Sequence, residues 1–143
     1  MTDSNIYRAK KVLLDYVQLN KEVAEKEERI QHLFDSATRA TPSLEAERVS
    51  GTSEHSRLEA NIVRKVDLEA QLDTRIDELR AQNYRIQNAI DAMLEPRERR
   101  LLNLRYLEGR SWASVNTRLG VSETWSRVIH DSALAHFAEI FFG

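Results

Sequence analysis

Apolar side chains recur at alternating steps of three and four through the first third of the chain. Ile6, Ala9, Leu13, Tyr16, Asn20, Val23, Glu27, Ile30 and Phe34 follow one another at the spacing of a coiled-coil seam, which predicts a helix over about residues 4–38. A second series with the same step, Leu72, Ile76, Leu79, Asn83, Ile86, Ile90 and Met93, predicts a second long helix. Extended backwards it meets Leu58 and Ile62 but also Lys65 and Glu69, so its early part is irregular. The stretch between them, about 39–56, is rich in Ser, Thr and Ala with one Pro and one Gly and reads as a linker, with a helical turn after Pro42. Ser56 and Glu59 have the spacing of a capping box for the second helix.

Two helices of similar length joined by a linker can fold back as a hairpin, or their seams can pair between chains and give a homo-oligomer; periodicity does not choose. The seam residues are Leu13, Tyr16, Asn20, Val23 and Ile30 on one helix and Leu72, Ile76, Leu79, Asn83, Ile86 and Ile90 on the other. Asn20 and Asn83 interrupt the apolar run. A buried Asn fixes register at a cost in stability, whereas one at a solvated edge does neither.

Beyond residue 94 the helices shorten and their ends are clearly marked. Pro96 suits a first turn, Gly109 stops the run from Arg97 to Leu107, Ser111 caps WASVNTRL, Gly120 ends it, and Ser122 caps the last helix with Glu123 favourably placed for its dipole. The chain is therefore expected to be all-α, with a helical arm over 1–94 and a C-terminal domain over 95–143. Val115, Leu119, Gly120, Val121 and Ile129 stand where a helix-turn-helix needs apolar contacts and a turn glycine.

Charge sharpens the picture. The net charge of -2 divides into -4 over residues 1–96 and +2 over 97–143, and seven arginines lie between Arg97 and Arg127 against three glutamates. A local excess of this kind is the footprint of an anionic partner. Composition mostly excludes. With 143 residues, 4 Gly, 2 Pro and no Cys, neither a large multidomain enzyme nor a glycine-rich nucleotide fold is expected, nor a disulfide scaffold. The four His, at 32, 55, 130 and 136, form no i, i+4 metal pair, and His130 and His136 read as surface or packing residues. No enzymatic activity, metal, cofactor, small-molecule substrate or membrane association is expected, and the lack of a signal segment suggests the cytoplasm.

From Met93 onward, MLEPRERRLLNLRYLEGRSWASVNTRLGVSETWSRVIHDSALAHF resembles region 4 of the bacterial sigma-70 factors, through the P-RER-LLNLRY-EG run, the LGVS turn and the closing AL. The wider arrangement, a heptad-rich first half and a linker ending in RVSGTS, is similar to phage-encoded sigma-like regulators of the ArpU and RinA type. The resemblance implies a regulator of phage or prophage late genes in a bacterial host, with double-stranded DNA and RNA polymerase as partners. Nothing before residue 93 resembles a promoter-melting region, which implies action alongside the host's own sigma. On this reading Ser122, Glu123, Thr124, Arg127 and Asp131 face the major groove, while Arg105, Arg110 and Arg118 hold phosphates. Two positions depart from the pattern. Asn116 stands where Ala is usual and Ser126 where a branched apolar residue is usual. Trp125 then either turns inward to fill the gap or faces DNA or a protein partner, and Trp112, just after the Ser111 cap, has a similar choice between packing in the core and facing outward. Two other readings share these features: a small terminase subunit recognising packaging-site DNA, and a polymerase-binding adaptor that never touches DNA.

Overall fold

The computed structural model describes residues 2–39 and 51–143, with side chains over 3–35 and 54–143. The chain is all-α, and no strand occurs among the described residues. In chain order the elements are α1 (Thr2–Arg39), α2 (Gly51–Asp91), α3 (Pro96–Leu102), α4 (Trp112–Leu119) and α5 (Glu123–Phe142). A wide π-helical turn, Asn103–Leu107, continues α3. The helical turn expected after Pro42 lies outside the described residues. Residues 51–56, expected as linker, are helical, so Ser56 sits inside α2 and does not cap it. His55 instead pairs with Glu59 one turn on, at 3.1 Å.

The chain forms two compact units, residues 1–20 with 79–143 and residues 21–78. The division does not fall at residue 94 as the change of helix length suggested. Its reason is a shared core: Ala9, Leu13 and Tyr16 of α1 and Ile86, Ala89 and Ile90 of α2 are buried together with Leu101, Leu102, Leu104, Val115, Leu134 and Phe137. The ends of α1 and α2 thus supply part of the apolar surface against which the C-terminal helices pack. Met93, just past the end of α2, joins this core, and the Arg99 guanidinium donates to its carbonyl at 2.6 Å. Asn83 is half-buried and its amide donates to the Tyr16 hydroxyl at 2.9 Å, so a polar group in the seam finds a specific partner. Asn20 is exposed and takes no place in the seam.

Among the described residues of the second unit, Val23 and Leu68 are the buried apolar ones. Leu68, four residues before Leu72, replaces the Lys65 and Glu69 positions that the extended periodicity reached. Lys65 is half-buried and its ammonium lies 5.1 Å from the centre of the Phe34 ring, while Glu69 is exposed and pairs with Lys65. Lys26 donates to Gln71 at 3.4 Å and Arg75 pairs with Glu22 at 3.6 Å, so α1 and α2 run in opposite directions through this unit. The expected seam residues Ile30, Leu72 and Ile76 are half-buried here, and Leu79 is half-buried in the first unit.

Candidate functional site

Three local devices shape the C-terminal helices. Glu95 accepts from the Arg97 N–H and Pro96 supplies the fixed first turn of α3. In the π turn the Glu108 N–H reaches back five residues to the Asn103 carbonyl at 2.9 Å, and Gly109, at φ 70°, lets the Arg110 N–H close on the Leu104 carbonyl at 3.0 Å. The Ser111 hydroxyl caps α4 by accepting from Ser114 N–H at 3.2 Å, and the Ser122 hydroxyl caps α5 by accepting from Trp125 N–H at 3.1 Å. Between them Gly120, at φ 67°, adopts a left-handed conformation that a side chain would strain, and the Val121 N–H returns to the Asn116 carbonyl. A helix of eight residues, a glycine turn and a second capped helix are thus present where the sequence placed them.

Val115 and Ile129 are buried where α4 meets α5, with Leu119 and Val121 packed against the same core. Ser126 is 2% exposed and sits in this interface itself, whereas Trp125 is 50% exposed. The expectation that Trp125 turns inward to replace a missing apolar residue is therefore corrected: the helix register directs position 126 inward, and Trp125 lies over a surface groove with Arg97, Glu98, Val128 and Ser132. Ser126 and Asn116 line the same opening between α4 and α5. A cleft of about 520 Å³ opens there, lined by Trp112, Asn116, Ser126, Arg127 and His130 among others, and the buried Oδ1 of Asn116 meets no hydrogen-bond donor.

Of the residues expected to face a groove, Ser122, Glu123, Thr124, Arg127 and Asp131 are all exposed on the first turns of α5. The Ser122 hydroxyl is committed to its cap. Glu123 and Arg127 pair at 2.9 Å one turn apart, and a pair this exposed is held weakly enough to open for a ligand. The three expected phosphate holders differ. Arg118 is exposed at the end of α4. Arg110 pairs with Glu108 at 3.1 Å. Arg105 is half-buried, donates to the Arg110 carbonyl at 2.9 Å and stacks 4.8 Å from the Trp112 ring centre, which makes it a brace for the α4 entry.

Two side-chain clusters escaped the sequence reading. The Tyr106 hydroxyl and His130 Nε2 share a hydrogen bond of 2.7 Å, with Trp112 edge-on to the imidazole at 4.8 Å. Burial pushes the Tyr106 phenol up to about 12 and, aided by the Lys10 charge, holds His130 down at about 4, so both are neutral near pH 7. No local signal links residues 24 apart. The second cluster joins α3 to α5. Buried Glu98 accepts from the Ser132 hydroxyl at 2.6 Å and bonds His136 Nδ1 at 2.7 Å. Ser132 and His136 stand four apart on one helix face, a spacing readable in the sequence, but their partner lies more than thirty residues away. The order differs from a catalytic triad, because the serine and the imidazole bond the carboxylate and not one another. Among the described residues no group of three or more His, Asp or Glu converges as metal ligands.

The hydrogen bond to Glu98 raises the His136 pKa above its ordinary value of 6.5. The pair's contribution to stability is therefore fully present below about pH 6.5 and is lost as pH rises through the raised value. Replacing Glu98 by Gln is expected to return the His136 titration, followed by imidazole NMR shifts, toward its ordinary midpoint. An unchanged midpoint would remove Glu98 as the cause.

A family model described as protein of unknown function (DUF722) matches residues 6–138. The chain belongs to the DUF722 family. No curated protein and no solved structure matches it. In this DUF722 chain the match spans both long helices as well as the capped α4–α5 pair, in keeping with the core that joins their ends. No helix among its described residues is long and apolar enough to cross a membrane.

Proposed function

We propose that this chain is a sequence-specific DNA-binding transcription regulator of phage or prophage late genes, acting in the bacterial cytoplasm with host RNA polymerase. The observation that carries the reading is the pair α4 and α5 around the left-handed Gly120, with the exposed Glu123, Thr124, Arg127 and Asp131 on the leading turns of the second helix. Its resemblance to sigma-70 region 4 supplies the link to transcription, and the phage-type regulators supply the setting. Arg127 is the base reader, because its planar fork can bond guanine bidentately once the Glu123 pair opens. Arg118 and Arg110 hold phosphates, while Arg105 orients the Arg110 backbone.

The test is a gel shift over a salt series on DNA from the chain's own genomic neighbourhood, with random DNA as competitor. A specific band whose affinity falls steeply with salt is expected. Arg127→Ala should cost about 1–3 kcal/mol on the specific site and relax base preference, while Arg118→Ala weakens specific and random DNA alike. Equal losses on both DNAs for both variants would remove the division of roles. Polymerase retention without any DNA binding would favour the adaptor reading, and a closed ring of many chains by native mass measurement would favour the packaging reading.

A further inference from the structure

The cleft between α4 and α5 has a contributor from outside them. Lys10 of α1 lines it together with Trp112, Asn116, Arg127 and His130. Its backbone is fixed by its neighbours, since Ala9 and Leu13 are buried in the shared core, yet Lys10 itself is exposed and makes no ion pair among the described residues. Its charge is close enough to His130 to help keep that imidazole neutral. Glu123, the carboxylate at the cleft, is already paired with Arg127, so Lys10 leaves the opening with a net positive charge. The same sign prevails around it. The unit that holds the cleft carries 12 Lys and Arg against 9 Asp and Glu, net +3, whereas residues 21–78 carry 9 against 14, net -5.

We propose that Lys10 binds a phosphate of the DNA backbone beside Arg127, which makes α1 part of the nucleic-acid interface. The inference rests on the DNA-binding reading and adds a contact that the α4–α5 pair alone does not contain. An ammonium is a point charge suited to a phosphate oxygen and carries no base preference, so Lys10 contributes affinity and salt dependence and leaves sequence choice to Arg127.

The experiment measures duplex binding by the full chain between about 50 and 200 mM salt for the wild type, Lys10→Gln and Lys26→Gln. Lys10→Gln is expected to flatten the log-log salt slope by about 0.9 on specific and random duplex alike, and Lys26→Gln, in the acidic unit, to leave it unchanged. A wild type that binds steeply with a Lys10→Gln variant of the same slope overturns this proposal and leaves the DNA reading standing. An equal flattening by Lys26→Gln overturns it too, as an effect of charge anywhere on the chain. A wild type that binds no duplex at low salt overturns the DNA reading first. Acetylation of Lys10, followed by mass spectrometry, separates the sources of phosphate: protection by duplex but not by inorganic phosphate is expected, and equal protection by both would overturn the assignment to the DNA backbone.

Discussion

Phe137→Ala is expected to cost about 3–5 kcal/mol and to unfold both ends of the first unit together. Phe137 is fully buried on α5 and stacks on Phe141 with ring centres 5.1 Å apart. Removing the ring withdraws its own burial and leaves a cavity that the surrounding side chains can only partly close. The loss is a large share of the roughly 5–15 kcal/mol that holds a typical domain together. Because Leu13 of α1 and Ile86 and Ile90 of α2 belong to the same core, the transition should not be confined to α3–α5. Urea unfolding followed by far-ultraviolet circular dichroism and by hydrogen exchange at residues 9–16 and 86–93 reads both. Leu94, 95% exposed, gives the matched control, and Leu94→Ala should leave the midpoint unchanged. If Phe137→Ala lowered the midpoint while protection at residues 9–16 persisted, the shared core would not behave as one cooperative body.

The second large effect is acid sensitivity. His130 titrates at about 4 in the folded chain against an ordinary 6.5. Between those values the unfolded chain binds a proton that the folded chain refuses, so stability falls as pH drops through 6.5 and levels off below about 4. Between pH 7 and pH 5 the loss amounts to about 2 kcal/mol. His136 works at the other end of the scale, its contribution fading as pH rises, so the two histidines separate by pH window. Urea midpoints at pH 7, 6 and 5 should decline for the wild type. His130→Gln retains a partner for the Tyr106 hydroxyl but cannot titrate, and its midpoints should decline much less. Parallel declines in the two proteins would exclude His130 as the acid-sensitive group.

What the sequence made legible was local. Capping by Ser111 and Ser122, the left-handed Gly120 and the stop at Gly109 are decided within three or four residues, and each lies where the residue types place it. Long-range partners were not legible in the same way. The early seam of α2 passes through Leu68, and the Lys65 ammonium lies by the Phe34 ring, an arrangement that periodicity alone cannot see. Trp125 illustrates the same limit at the candidate site. The missing apolar residue at Ser126 left open an inward turn of Trp125, but the register of α5 is set by Ile129, Ala133 and Phe137, and that register turns Ser126 inward. The exposure of Ser122, Glu123, Thr124, Arg127 and Asp131, the set proposed to face bases, could be read from its place after the Ser122 cap. Lys10 could not, because only the packing of α1 brings it to the cleft.

The wide turn at Asn103–Leu107 holds one more residue than an α-helical turn would take, and Leu104 and Tyr106 are both buried from it. The lock between Tyr106 and His130 is consequently a matter of chain length as well as of residue type. Substitution scanning, which changes side chains at constant length, samples only half of that dependence. The other half belongs to insertions and deletions between Pro96 and Gly109, which would shift Tyr106 along the chain relative to its partner on α5.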